Sequence, residues 1–314
     1  MLLFSPEYLD VKTAKEMPCI LAGYEVKNSS PLYGESPEGK YLFQDIYTGT
    51  LHGCFINVLP QHAHRFFISK ENAGYFLLIQ LHNNLSCHFQ GIDNINFYEW
   101  GINLFAAKKL HVEINVCNEF STFVLFIPDK LFNRCAGHYP FLRKIKRTHE
   151  NTLHTVKLLP NNAICNFALI DLINDLRENE VIKPEILNDV FKQAMQIICK
   201  DKGQKKINVP NDIAEKLQSL KQYMTANLSL NFQRNDLMND FKISLYHFEN
   251  SFQKIYNLTP FTLLKCYRMQ GVKRGIKNNE PLKEIAPRYN YSYNTVSKAF
   301  YSVYKKPPLY RKKK

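Results

Sequence analysis

The last third of the chain repeats itself at an offset of 48 residues without a gap. Leu237-Met238 recurs as Ile285-Ala286, Ser244 as Ser292, Phe248 as Val296 and Phe252 as Phe300. Ile255 recurs as Val303, Tyr256 as Tyr304 and Pro260 as Pro308. Self-similarity of this length marks one supersecondary unit used twice. Each copy has the same grammar: a short helix (about 233–241 and 282–289), a three-residue turn (Lys242-Ile243-Ser244 and Asn290-Tyr291-Ser292), and a second helix. The serine that closes each turn can cap the helix after it, because its hydroxyl accepts from an orphan N–H of the first turn.

Within the second helix of each copy the apolar residues are spaced by four and then three, so they share one face. They are Phe248, Phe252 and Ile255 in the first copy and Val296, Phe300 and Val303 in the second. At about 100° per residue the opposite faces are then fixed. They carry Tyr246, Asn250 and Gln253, and Asn294, Lys298 and Tyr301. These are hydrogen-bonding or cationic side chains long enough to reach base edges from a helix in a major groove. A solvated helix face would show the same pattern, and charge helps to separate the two readings. Residues 1–204 hold 20 Lys/Arg against 21 Asp/Glu, a net of −1, whereas residues 205–314 hold 21 against 7, a net of +14. A cationic unit joined to a neutral one suggests a polyanionic partner, nucleic acid first and anionic membrane second.

Two segments resemble the AraC/XylS family of bacterial regulators. LMNDFKISLYHFENSFQKIYNLTPFTLLKCYRM (237–269) resembles the family's first helix-turn-helix and the start of its connecting helix. IAPRYNYSYNTVSKAFYSVYKKPPLYR (285–311) resembles its signature segment. The serine, the two apolar positions, the Thr-Pro, the Arg-Met and the closing Pro-x-Tyr-Arg fall in order, and the match spans about residues 212–311.

The resemblance implies a seven-helix domain over 205–314, with helix-turn-helix units at about 233–256 and 282–304. A central helix at about 260–278 would hold them apart, and one monomer would read two major-groove faces about one helical turn apart. Carried over by position, the base-facing residues are Tyr246, Glu249, Asn250 and Gln253, then Tyr293, Asn294, Thr295, Ser297 and Lys298. Ser244, Lys254, Lys265, Arg268, Lys273 and the tail from Arg311 are assigned to phosphates, contacts that position a protein without specifying sequence. The implied partners are double-stranded DNA, a small-molecule effector, RNA polymerase and a second copy of the chain. No membrane partner, no cofactor and no enzymatic activity are implied, and the expected location is the cytoplasm, at the nucleoid.

Several positions depart from the family pattern. Asn290 stands where glycine is usual in the second turn, and Asn257 where a glycine follows the first recognition helix. Asparagine is the next most tolerant residue of a left-handed conformation. The second turn is one residue shorter than usual, and Pro287 falls inside the short helix before it. An interior proline costs about 3 kcal/mol and kinks a helix. The expectation is therefore a regular first unit and a distorted second one. Asn250 replaces a common arginine, exchanging a guanine reader for an adenine reader. Glu249 either accepts from a cytosine or is an exposed helix charge.

The first two thirds have a different character. Residues 1–40 are broken by Pro18, Pro31 and Pro37 and are expected to be irregular. Short apolar or alternating runs follow at 41–47, 54–59, 75–81, 85–89, 111–116 and 122–127, separated by turn residues. That pattern predicts an antiparallel β-sandwich or small barrel. After Pro128, helical spacing returns at 162–177 and 184–199. These helices could form a dimer interface or pack on their own sheet. The charged stretch CKDKGQKKINVP (199–210) reads as a linker, and Asn211 or Asp212, with Glu215, as the cap of the helix after it. The fold class is therefore α+β: a β-rich, cupin- or jelly-roll-like sensor or dimerisation domain over 1–204, with helices at about 162–200, then an all-α domain with two helix-turn-helix units.

Other functions are weighed against this one. The N-terminal residues show no secretory signal pattern, and the eight cysteines are scattered without a CxxC pair, which suits reduced thiols. His62-Ala63-His64 could place two imidazoles on one face for a metal, but Glu71 is not at metal-cupin spacing and exposed loop histidines are the plainer reading. The alternative is thus a metal-dependent cupin-type enzyme fused to a DNA-targeting module. A third reading is an adaptor whose basic domain binds anionic membrane or RNA. Phe66, Phe67, Tyr75 and Phe76 are read as core.

Overall fold

A computed structural model describes residues 3–6, 12–14, 19–27, 29–152, 154–157, 159–179, 183–201 and 209–308. The chain divides into two compact units, Met1–Lys206 and Ile207–Lys314. The expected linker lies largely outside the described residues, as do Pro18, Arg311 and the rest of the basic tail. Among the described residues no helix is long and apolar enough to cross a membrane.

The first unit is built on twelve strands, four α-helices and one 3-10 helix (Cys19–Tyr24) among the described residues. The strands are β1 (Leu3–Pro6), β2 (Lys12–Ala14), β3 (Ser30–Ser36), β4 (Gly39–Thr48), β5 (Leu51–Pro60) and β6 (His64–His82). They continue with β7 (Leu85–Phe89), β8 (Ile95–Phe97), β9 (Gly101–Val116) and β10 (Phe120–Ile127). Helices α1 (Asp129–His138) and α2 (Pro140–Glu150) follow, then the short strands β11 (Val156–Lys157) and β12 (Ala163–Ile164), and helices α3 (Phe167–Glu178) and α4 (Pro184–Asp201). The main path of the sheet runs β2-β3-β4-β5-β10-β6-β9-β7-β8, and every pairing is antiparallel.

Two long strands organise this sheet. β6 and β9 pair from His64↔Val116 to Ile79↔Ile102, with a register shift between Glu71 and Gly74. Gly74 has φ +66°, a conformation that costs glycine nothing. The irregularity lets each strand serve two parts of the sheet, since bulges bend and twist the strand that carries them. The inner face closes on Tyr41, Phe43, Ile56, Phe66, Phe76, Phe89, Phe105 and Val112. Phe66 of β6 stacks on Tyr41 of β4 with ring centroids 5.1 Å apart, which shows the sheet folded back on itself.

The outer face is covered by the last two helices of the unit. Asn166 caps α3 by accepting from the Leu169 N–H at 2.9 Å. In α4, Leu187, Val190, Phe191, Ala194, Met195 and Ile198 are all buried. The apolar stripes of both helices are thus spent on their own sheet. Because β10 is buried at all eight positions, between core and helices, its sequence shows no alternation.

Three expectations need correction here. Residues 1–40 are not irregular throughout, since β1, β2 and β3 lie within them. Pro31 lies near the start of β3, opposite Gln44 of β4 and before residues 33–35, with which the described residues of β2 pair. The segment 129–150, not expected to be helical, forms α1 and α2: Pro128 stands at the cap of α1 and Pro140 at the start of α2, where proline is favoured. Helix α3 starts at Phe167 rather than 162, because Ala163 and Ile164 pair with β9 first.

The second unit is helical. Its elements are α5 (Asn211–Ala226), α6 (Arg234–Asp240), a π-helical turn (His247–Ser251) that runs into α7 (Phe252–Tyr256), α8 (Pro260–Lys277), α9 (Leu282–Arg288) and α10 (Tyr293–Tyr304). The cap of α5 is Pro210, without a side-chain bond, and not Asn211 or Asp212, which lie inside the first turn.

Gly53 tests the packing of α4 on the sheet. A methyl group there would meet the Phe123 ring at 2.8 Å, with Leu187 of α4 at 3.4 Å. Phe123 is fully buried and has nowhere to move. Gly53→Ala should therefore destabilise the protein by about 1–3 kcal/mol, measured as a lower denaturant midpoint at unchanged m-value.

Candidate nucleic-acid interface

The second unit is assembled on α8, whose Leu263, Leu264, Met269, Val272 and Ile276 are buried. Thr259 caps this helix and Pro260 occupies its first position, as the Thr-Pro pair requires. The first repeat copy buries Leu237, Ile243, Phe248, Phe252, Ile255 and Tyr256. The second packs Leu282, Ile285, Ala286, Val296 and Phe300 against Met269, Val272 and Ile276. Two glycines let the second copy approach closely. A methyl group at Gly275 would lie 2.8 Å from Ile285, and one at Gly271 would collide with Tyr289.

The repeat extends to individual backbone hydrogen bonds. Ile243 N–H donates to Met238 O at 3.0 Å, and 48 residues on Tyr291 N–H donates to Ala286 O at 3.1 Å. Lys242 to Asn239 recurs as Asn290 to Pro287, and Asn257 to Gln253 as Lys305 to Tyr301. The left-handed residues recur as well: Lys242 (φ +49°) and Asn290 (+58°) in the turns, Asn257 (+57°) and Lys305 (+55°) after the second helix of each copy. The tolerance expected of Asn257 and Asn290 is thus in use.

The expected asymmetry between the copies is reversed. Pro287 sits next to the end of the seven-residue α9, so the bond it cannot make falls at the helix terminus and the turn after it matches the first copy. α10 is a regular helix of twelve residues with a reciprocal cap: Ser292 Oγ accepts from the Thr295 N–H at 3.3 Å, and Thr295 Oγ1 accepts from the Ser292 N–H at 3.1 Å. In the first copy Ser244 Oγ accepts from the His247 N–H at 3.4 Å, and the helix widens at once into the π-helical turn. Within it His247 Nδ1 is 2.9 Å from Oγ of the buried Ser251. A wider turn shifts the azimuth of the residues beyond it, so Asn250 and Gln253 are aimed differently from Lys298 and Tyr301.

The outward faces carry the expected side chains unequally. Tyr246, Asn250 and Gln253 are exposed on the second helix of the first copy, and Tyr293, Asn294 and Lys298 on that of the second. Tyr246 is 55% and Tyr293 60% exposed, high values for aromatic rings. Ser297 is half-buried. Two residues are committed elsewhere: Glu249 pairs with Arg234 at 3.1 Å, and the Thr295 hydroxyl belongs to the cap. Tyr301, also exposed, extends the second face by a turn.

Of the residues assigned to phosphates, Ser244 and Lys254 are exposed and Lys265 and Lys273 half-buried. The Lys254 ammonium donates to Tyr246 Oη at 3.3 Å, and that of Lys273 lies 5.2 Å from the Tyr304 ring. Arg268 is a correction. It is only 8% exposed. Its Nε donates to Leu228 O at 2.8 Å, its Nη2 donates to Leu230 O, and its guanidinium lies 5.8 Å from the Tyr291 ring. Burial lowers its pKa. It ties the loop before α6 to the turn of the second copy and is not presented to a duplex. Sequence could not show this, because an arginine on a helix looks alike whether it points to solvent or to carbonyls.

Of His62 and His64, the second has its ring engaged in structure. His64 Nε2 is 2.9 Å from Tyr41 Oη, and its Nδ1 is 2.8 Å from His62 O. Glu71 pairs with Lys109. No group of three metal-ligating side chains occurs among the described residues.

No family model and no curated protein matches the chain. Among solved structures, ToxT from Vibrio cholerae is 13% identical, with a TM-score of 0.32, over 82% of this chain and 96% of its own. The AraC-like transcriptional activator CuxR is 10% identical, with a TM-score of 0.36, over 80% and 86%. Hydroxypropylphosphonic acid epoxidase from S. wedmorenis covers 32% of this chain and 56% of its own at a TM-score of 0.25. Scores this low bear neither on activity nor on ligands.

The two serine caps should differ in worth. Ser292→Ala removes the hydroxyl that accepts from the Thr295 N–H and meets Thr295 Oγ1 at 2.9 Å, leaves the bond from the Ser292 N–H to Thr295 Oγ1 in place, and should cost about 1 kcal/mol. Ser244→Ala removes one long bond and should cost less, about 0.5 kcal/mol. Thermal unfolding of the two variants checks the order; equal losses would contradict it.

Proposed function

We propose that this chain is a sequence-specific DNA-binding transcription regulator, acting as AraC/XylS-type regulators do. The observation that carries the reading is a duplicated helix that buries equivalent stripes and turns polar side chains outward twice, within residues 205–314, whose net charge is +14. Tyr246, Asn250 and Gln253 would read one major-groove segment and Tyr293, Asn294 and Lys298 the next. Ser244, Lys254, Lys265 and Lys273 would hold the backbone, with Thr295 and Glu249 shaping the helices that present the readers.

The first unit would supply control. An open cleft of about 410 Å³ is lined by His52, Lys70, Lys108, Phe126, Asp129 and His149, a size that accommodates a small molecule. His149 Nδ1 is buried there without a partner among the described residues, and burial lowers the imidazole pKa. RNA polymerase is the partner through which binding would change transcription. A second copy would have to use a surface other than the stripes of α3 and α4, which are covered.

DNA binding should weaken steeply with salt, because each neutralised phosphate releases counterions. Asn294→Ala should lower affinity for the selected site by about 10- to 100-fold, the worth of a bidentate base contact of ~1–3 kcal/mol, and leave random DNA almost unaffected. Lys298→Ala should likewise lose more on the selected site than on random DNA. Titrations on both duplexes check this; equal loss on both would overturn the assignment.

A further inference from the structure

Helices α1 and α2 concentrate positive charge in a unit that otherwise lacks it. Residues 129–150 hold six Lys/Arg and two Asp/Glu, whereas the rest of residues 1–204 holds 14 against 19. The hairpin is rigidly placed. Phe132 stacks on Tyr75 of β6, and Leu142 and Ile145 are buried. Arg143 of α2 donates from Nε to Ala136 O at 3.0 Å and from Nη2 to Gly137 O at 2.7 Å, closing the end of α1. One of the six cations is thereby structural, and Lys146 faces Glu150 at 3.8 Å.

The other four point outward. Lys130, Arg134, Lys144 and Arg147 are exposed, and none forms an ion pair among the described residues. Lys130, Arg134 and the exposed His138 follow one another at intervals of four along α1, and Lys144 and Arg147 are three apart on α2. Residues at these intervals lie on one helix face about 5–6 Å apart, so each helix offers a row of cations. Gathering four cations without an ion pair on two adjacent helices raises self-repulsion, which a partner of opposite charge relieves.

From this geometry we infer that the α1–α2 hairpin is a second DNA-backbone contact, binding phosphates without reading sequence. The inference rests on the DNA-binding reading above. A duplex fits better than a membrane surface, because interfacial helices insert an apolar face and the apolar face of α2, Leu142 and Ile145, is buried on the sheet. A backbone contact needs only donors and charge, which these side chains supply.

The test uses the full chain and the variant K130Q/R134Q/K144Q/R147Q, whose substitutions are all on the surface and whose fold is checked by thermal unfolding. Binding is titrated against salt on a selected site in a duplex of about two helical turns, ~20 base pairs, and in one three times longer. On the long duplex the slope of log affinity against log salt should fall in magnitude by about two to four, at ~0.9 per lost contact. On the short duplex variant and wild type should differ less. Equal slopes on the long duplex would overturn the inference and leave the helix-turn-helix reading intact. Failure of the wild type to bind either duplex would overturn that reading itself. Phosphatidylserine vesicles that bind the wild type but not the variant, with equal DNA slopes, would reassign the hairpin to membrane and so also overturn the inference.

Discussion

The burial of one apolar stripe on each repeated helix is the constraint from which the C-terminal unit follows. Once Phe248, Phe252 and Ile255 are committed to the core, and Val296 and Phe300 with them, the helical period leaves no freedom about what faces outward. Each of these residues contributes roughly 1.5–3 kcal/mol on burial, far more than an exposed polar side chain gains by any particular orientation. The outward faces are therefore fixed by the hydrophobic side. α8 makes this possible twice, with Thr259 starting it cleanly and Gly271 and Gly275 thinning one side so that Tyr289 and Ile285 can approach.

That constraint explains why the helical unit was legible in the sequence. A 4,3 spacing, a serine before it and tolerant residues after it are all local signals, and the structure places helices within a residue or two of each. Pro287 was the misleading signal, because a proline's cost depends on its distance from the helix end and α9 stops one residue later. The π-helical turn had no such marker: it involves His247 and the buried Ser251, and a Ser/His pair four apart is unremarkable in any helix. Arg268 shows the same limit for side chains, since its acceptors lie 38 and 40 residues away.

The β-rich unit was legible in kind but not in extent. Six runs of strand character were visible, but 75–81 is one end of a 19-residue strand and 111–116 one end of a 16-residue one. The irregularity at Glu71/Gly74 and the polar residues Lys108 and Lys109 interrupt the apolar pattern where the chain continues straight on. Helices α1 and α2 were missed because only Phe132, Ala136, Leu142 and Ile145 are buried in them, leaving an apolar pattern too thin to stand out among charges.

The matched left-handed pairs, Lys242 with Asn290 and Asn257 with Lys305, bracket in each copy fourteen residues that carry two kinds of information. Everything between them that determines shape points inward or sits at an end. What points outward carries few contacts beyond its own backbone, among them Lys254 to Tyr246 and Glu249 to Arg234. The outward residues can consequently be exchanged one at a time while the folding problem that the inward ones solve stays solved.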